Sequence, residues 1–309
     1  MPVHHHNPIR VLALVALTAT LASAQGARSP RADLSVTPAW LAEHLKDPDL
    51  VLLHVGEKAE YDKGHIPGAR FVTMEDLSVS SMDHEHGLML ELPPTETLRA
   101  HLAALGISDK SRVVVYYGND WISPSTRILF TLDYAGLGDR STLLDGGMPA
   151  WKEAGHPLSA DVPTPRTGQL AALKTHPIVV SAEFVKANLK SNTVRVLDGR
   201  AATFFDGADA GNPRKGHIAG ARSLPFTEVT DDKLRLKSAE QLAALFTKAG
   251  VGPRDTVVAY CHIGQQATAV LFAARTLGHP VLLYDGAFQE WSRRSELPVE
   301  NPAESTRKP

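Results

Sequence analysis

The chain of 309 residues carries one cysteine, Cys261, in the stretch Val257-Val258-Ala259-Tyr260-Cys261-His262-Ile263-Gly264-Gln265-Gln266-Ala267-Thr268-Ala269. A lone thiol cannot close an intramolecular disulfide, so it is buried and inert, paired with another molecule, or reactive. Its flanks bear on that choice. VVAY reads as a buried strand, and Gln266 to Leu277 reads as a helix with Gly278 as its stop. The thiol is therefore expected at the carboxyl end of a parallel strand, on a loop feeding a helix N-terminus. That edge is where open α/β sheets bind ligands and where inward N–H groups receive anions. Nucleophilic chemistry needs the thiolate, and at an ordinary pKa only about 3% of a free cysteine is ionised at neutral pH. Lowering that pKa by two units takes about 2.7 kcal/mol of preference for the anion. The backbone N–H groups of His262, Ile263, Gly264, Gln265, Gln266 and Ala267, with the helix dipole, are expected to supply it. Gly264 lets the backbone come close to the sulfur. The competing reading is a buried structural cysteine, since free cysteines are among the most buried residues.

The elements that must position this thiol occur twice. Gly64-His65-Ile66-Pro67-Gly68-Ala69-Arg70 recurs as Gly216-His217-Ile218-Ala219-Gly220-Ala221-Arg222. Leu144-Asp145-Gly146-Gly147 with Trp151 recurs as Tyr284-Asp285-Gly286-Ala287 with Trp291, and Val113-Val114-Val115-Tyr116 recurs as Val257-Val258-Ala259-Tyr260. Matches in the same order over so long a span mean a duplicated domain. In the first copy Thr37 caps a helix with Pro38 at its first position, running to about Lys46, and Leu50 to Val55 follows as a strand. In the second, Ser181 caps a helix to about Lys190, and Thr193 to Asp198 is the strand. Continuous apolar strands (SRVVVYY, DTVVAY) between helical stretches indicate parallel sheets covered on both faces. The expected fold is α/β, with tandem domains at 33–158 and 175–300. The linker, 159–174, contains Pro163 and Pro165.

Residues 1–24 read as a secretory signal peptide. Arg10 precedes the apolar run Val11 to Ala22, and Ala22-Ser23-Ala24 suits cleavage before Gln25. The run is short for a bilayer span, which needs about 20 residues. His4 to His6 lie in this disposable leader and are assigned no role. Export to periplasm or medium is expected, with no stable membrane insertion after cleavage. A composition of 43% apolar and 21% charged residues, with net charge −2, offers no basic surface for nucleic acid.

The two GHIxGAR segments, the two D-G-[GA]-x-x-x-W segments and a cysteine loop in the second copy alone resemble a tandem-domain rhodanese family sulfurtransferase. The resemblance covers nearly the whole chain beyond the leader. It implies two rhodanese-like domains, the first without a catalytic cysteine, where the corresponding loop reads Tyr117-Gly118-Asn119-Asp120-Trp121. It implies thiosulfate or 3-mercaptopyruvate as sulfur donor, a persulfide on Cys261, and cyanide or a thiol as acceptor. It requires no metal or other cofactor, and a monomer is expected. Loops of this family associated with thiosulfate carry basic side chains, and those associated with mercaptopyruvate are small and neutral; CHIGQQ matches neither. Thiosulfate is the favoured donor, with His262 partly charged and Gln265 and Gln266 as neutral hydrogen-bond donors. Arg200 matches a family Asp-x-Arg whose arginine lies near the donor anion, and it is expected as the main cationic anchor. An ion pair with Asp198 is its alternative role. Fold analogy alone places Asp120 at the domain interface, facing Cys261.

Residues present in both copies read as architecture. His65 and His217 are expected in the strand-connecting turn, Trp151 and Trp291 in the core, and Asp145 and Asp285 as turn or cap residues. A phosphatase-like Cys-x5-Arg would need arginine at position 267, where Ala267 stands, so the phosphate clamp is missing. The remaining alternatives are a non-catalytic persulfide carrier or redox sensor, and a degenerate scaffold. A cysteine kept at the expected position argues against the scaffold.

Overall fold

The computed structural model describes residue 1 and residues 30–83, 87–164 and 166–305. Residues 2–24 of the leader read at 1–24, its cleavage point before Gln25, and Pro165 of the linker lie outside the described residues.

Each copy folds as a five-stranded parallel sheet. β1 (Ser35–Val36), β2 (Leu50–Val55), β3 (Arg70–Phe71), β4 (Arg112–Tyr117) and β5 (Ser141–Leu144) pair in the order β1-β5-β4-β2-β3. The second sheet uses β6 (Val179–Val180), β7 (Val194–Asp198), β9 (Arg222–Ser223), β10 (Thr256–Tyr260) and β11 (Val281–Tyr284), ordered β6-β11-β10-β7-β9. An antiparallel ribbon of β8 (His217–Ile218) and β12 (Val299–Glu300) accompanies it. All but the first residue of β2, β4 and β10 are buried, because helices cover both faces.

Both expected caps form. Thr37 Oγ1 accepts the Trp40 N–H at 3.2 Å and Ser181 Oγ accepts the Phe184 N–H at 3.3 Å. The helices Pro38–His44 and Ala182–Asn188 stop two residues short of Lys46 and Lys190. Tighter turns end them: the Asp47 N–H reaches His44 O at 2.9 Å, and the Ser191 N–H reaches Asn188 O at 3.0 Å. Trp151 and Trp291 are fully buried, and their indole N–H groups donate to Pro157 O and Pro298 O, both at 2.9 Å. His65 stacks on Tyr61, with its ring nitrogens 2.8 and 3.1 Å from the carbonyls of Tyr61 and Asp161. His217 stacks on Phe205 and lies 2.8 Å from its carbonyl and 3.2 Å from Glu300 Oε2. Both nitrogens of each ring thus lie against nearby oxygen acceptors.

The domains meet through two related helices, Ile122–Tyr134 and Ala267–Thr276, both buried along most of their length. Thr126 and Thr268 hydrogen-bond each other at 2.9 Å across this contact. One apolar cluster runs through both domains and includes Leu53, Val115, Val257, Ala259 and Cys261. The domain lacking a thiol is thus packed directly behind the one that has it.

Candidate active site

Cys261 follows β10 and is fully buried. The helix Ala267–Thr276 begins six residues later. Between them Gly264 takes a left-handed backbone, φ +82°, and the chain curls around the sulfur. The backbone N–H groups of Ala267, Ile263, Gln266 and Gly264 act on Sγ.

The loop carbonyls are held outward in compensation. Cys261 O accepts the Phe288 N–H at 2.9 Å and His262 O accepts the Gln289 N–H at 3.0 Å. Gln265 O accepts the Thr268 N–H at 3.0 Å and its hydroxyl at 2.6 Å. Gly264 O accepts Arg127 Nη1 at 3.2 Å. With N–H groups inward and carbonyls outward, the cradle favours an anion on sulfur.

Burial nevertheless outweighs the cradle in this state. Desolvation pushes the Cys261 thiol above its ordinary value, and the N–H groups of Ala267, Ile263, Gln266 and Gly264 recover only part of that. The expectation of a lowered thiol pKa is corrected: the sequence located the dipoles but not the complete exclusion of water. His262 is corrected as well. Burial, then the nearby Arg200 charge, lowers its pKa to about 4, so the ring is neutral at pH 7. Its Nδ1 lies 3.0 Å from Asn212 Oδ1, and its ring meets Phe204 edge-on.

Arg200 is 2% exposed and braced against Asp198. Its Nε donates to the two Asp198 oxygens at 3.0 and 3.1 Å, and its Nη2 donates to Asp198 Oδ2 at 2.6 Å and Gly216 O at 2.7 Å. The guanidinium also stacks over Phe288, 4.1 Å from its centroid. Burial alone would lower the Arg200 pKa, but the Asp198 bonds and the charge of Cys261 raise it. The arginine therefore couples to the sulfur through its field, while two of its three nitrogens are engaged structurally. The ion-pair role is the one this geometry forms.

Gln265 donates from Nε2 to Ser123 Oγ of the first domain at 3.2 Å, and Gln266 Oε1 is buried without a partner. Asp120 lies beside Glu57 and Glu60 of its own domain. Burial, then the charge of those carboxylates, raises its pKa. Its neighbour Trp121 makes the cross-domain contact instead, on Phe226 at 5.5 Å.

Asp145 and Asp285 are corrected from turn residues to ties between the domains. Asp285 accepts Arg127 Nη1 at 2.6 Å and the Leu92 N–H at 3.1 Å, both from the first domain. Asp145 mirrors it, accepting the Leu236 N–H of the second domain at 3.1 Å and Arg31 Nη2 at 2.9 Å. Arg127 itself was not among the expected site residues. A signal for it exists in the repeat: once Thr126 is matched with Thr268, Arg127 falls opposite Ala269, a charge where the other copy has a methyl group.

The cysteine-less copy carries a second trace of divergence. Register places Val55 beside Tyr117 and Asp198 beside Tyr260, and the Ile66 and Ile218 N–H groups bond to the Tyr116 and Tyr260 hydroxyls. Tyr117 thus stands where the other copy has Cys261, His54 where it has Asp198, and Gly56 where it has Arg200. Without an arginine a buried aspartate would have no partner. The neutral His54 ring sits there instead, 1% exposed, with both nitrogens unpartnered.

A thiol cradled by loop amides at the carboxyl edge of a duplicated parallel sheet defines a two-domain α/β protein built for covalent thiol chemistry. The family description Rhodanese-like domain matches residues 37–154 and 181–294. The chain is 34% identical over 277 residues to the 3-mercaptopyruvate sulfurtransferase of Escherichia coli (strain K12), covering 84% of this chain and 95% of that one. It is 29% identical over 270 residues to the thiosulfate sulfurtransferase of Azotobacter vinelandii, covering 86% and 97%. A solved Escherichia coli 3-mercaptopyruvate sulfotransferase superposes with TM-score 0.71 at 32% identity, over 82% of this chain and 97% of that one. The anaerobic ergothioneine biosynthesis enzyme of Chlorobium limicola shares the fold, with TM-score 0.76 at 23% identity over 89% and 72%. The chain belongs to the rhodanese-like family, as a tandem-domain sulfurtransferase.

Proposed function

We propose that the chain carries sulfane sulfur as a persulfide on Cys261 and takes it from 3-mercaptopyruvate. The observation that carries the donor assignment is the charge around the thiol. Arg200 Nε and Nη2 are engaged by Asp198 and Gly216, His262 is neutral, and the loop offers only amides. Thiosulfate is a dianion, and burying it with so little positive charge is costly. 3-Mercaptopyruvate has one carboxylate and a carbonyl, which one guanidinium edge and neutral amide donors can match. Thiosulfate, the donor favoured on sequence, is the second reading, supported by the relatives named for it.

In the first step the Cys261 thiolate bonds to the donor sulfur. The carbon–sulfur bond breaks, its electron pair leaves with pyruvate enolate, and the enolate takes up a proton. In the second step a thiolate or cyanide bonds to the outer sulfur, and the S–S electron pair returns to Cys261. Cys261 first gives its thiol proton to solvent; the inward N–H groups then stabilise the anion before the first step and again after the second.

The test is sulfur transfer to cyanide from each donor, for wild type and Cys261→Ser, with mass spectrometry of the donor-treated protein. Faster turnover with 3-mercaptopyruvate, a one-sulfur mass gain on Cys261 and an inactive serine variant are expected. No mass gain with either donor, or an active Cys261→Ser, overturns the mechanism; faster turnover with thiosulfate overturns the donor assignment. An exported location is proposed on the leader pattern of residues 1–24. Mature protein beginning at Gln25 in a periplasmic or medium fraction supports it, and an intact Met1 terminus there refutes it.

A further inference from the structure

We propose that Arg127, contributed by the domain without a cysteine, is a positioning residue that keeps the dipoles of the Cys261 loop turned toward the sulfur. The inference rests on the thiolate reading above.

Arg127 lies on the helix Ile122–Tyr134 and is 2% exposed, among Ile128, Leu129 and Phe130. Its planar fork reaches three separate segments. Nη1 donates to Gly264 O at 3.2 Å and to Asp285 Oδ1 at 2.6 Å, and Nη2 donates to Leu90 O. Lysine could not meet these acceptors in the same geometry. Nε remains buried and unpartnered, so the site keeps this cation despite an unmet donor.

The carbonyls of Cys261, His262 and Gln265 are pinned from within the second domain, by Phe288, Gln289 and Thr268. The hold on Gly264 O comes from Arg127, across the domain boundary. Gly264 is also the residue whose peptide planes rotate most easily, since it has no side chain. If the Gly264–Gln265 plane turned, the negative end of a peptide dipole would swing from the outside of the loop toward its interior. Thiolate would then be disfavoured without any change in the residues touching Sγ. Arg127 prevents that rotation.

Cys261 is the only cysteine, so thiolate absorbance near 240 nm, taken as a difference from Cys261→Ser, titrates it alone. Arg200 with Asp198, and His262, keep their partners in each variant. Arg127→Gln also removes a cation and leaves Asp285 unpaired, so the double variant Arg127→Gln/Asp285→Asn, which removes the pair without a net charge change, must show the same rise in midpoint. Arg127→Gln is expected to raise the thiol midpoint by about one pH unit, leaving about tenfold less thiolate at neutral pH. It is also expected to reduce kcat/KM about tenfold with either donor, and Arg127→Lys should fall between it and wild type. The control is Arg31→Gln, which cuts the mirror-image tie to Asp145 far from the loop. It should lower the melting temperature and leave the midpoint in place. A wild-type midpoint in Arg127→Gln, with a melting loss like that of Arg31→Gln, overturns the proposal and leaves Arg127 a domain tie. If Arg127→Gln does not fold, an unchanged midpoint in Arg127→Lys overturns it equally. Failure of both donors in the transfer assay would sink the functional reading while leaving this titration interpretable.

Discussion

Gly264→Ala is the sharpest probe of the loop. Gly264 holds φ +82°, and an L-residue in that region costs about 1–2 kcal/mol. A methyl group there would also sit 2.7 Å from Asp285 Oδ1 and 3.0 Å from Arg127 Nη1, atoms that are themselves paired at 2.6 Å. The methyl group would push against both members of the buried ion pair. Neither can retreat freely, because Asp285 also holds the Leu92 N–H and Arg127 also holds Leu90 O. Losing one partner of a buried pair costs about 3–5 kcal/mol. Partial displacement plus the dihedral cost gives an expected loss of roughly 2–5 kcal/mol, a large part of a typical folding stability of about 5–15 kcal/mol. Gly155→Ala isolates the dihedral term, since Gly155 has φ +74° and no atom lies within 4 Å of where its Cβ would stand. Urea unfolding followed by tryptophan fluorescence should show Gly264→Ala destabilised by at least about 1 kcal/mol more than Gly155→Ala. Sulfur transfer should fall sharply in the first variant only. Equal urea midpoints and equal turnover for the two would refute the account of a loop clamped from the neighbouring domain.

Two further outcomes follow from the buried titratable groups. Burial holds the Cys261 thiol above its ordinary value, so alkylation by a neutral haloacetamide should rise about tenfold per pH unit through neutrality and level off only above about pH 8.5; a plateau below pH 8 would contradict this. His54 has its pKa lowered to about 4, first by burial and then by the charge of His65. The unfolded chain therefore binds that proton more readily, and the His54 contribution is complete above about pH 6.5 and lost as pH falls toward 4. His262 shifts in the same direction and is left untouched by His54→Leu. The drop in urea stability between pH 7 and pH 4.5 should consequently shrink by about 2.5 kcal/mol in His54→Leu; an unchanged drop would show that the His54 ring is not held neutral.

Much of the molecule was legible in local patterns. The strand ending at Tyr260, the helix after Gln266, both caps and the repeat follow from apolar runs, turn residues and self-similarity, all of which act over a few neighbouring residues. The site was legible in part for the same reason. A strand followed by a glycine-containing loop and a helix puts N–H groups around Cys261 whatever surrounds them. The role of Asp285 was not legible, because an aspartate before glycine looks like a turn residue until the other domain brings Arg127 and the Leu92 N–H to it. The same holds for Arg200: Asp-Gly-Arg reads first as an anion anchor, with the ion pair as its alternative, and only the burial of both side chains brings the pair forward.

By itself, then, the sequence determined the duplicated α/β architecture, the thiol at a strand end and the helix that follows it, since these depend on contacts close in the chain. Only the tertiary structure decided the charge states and the restraint. Whether Cys261 and His262 are ionised depends on how much water the second layer of packing excludes. Which carbonyl is held away from the sulfur depends on an arginine 137 residues earlier in the chain. Desolvation and cross-domain hydrogen bonds arise only when distant segments pack together, and no local pattern records them.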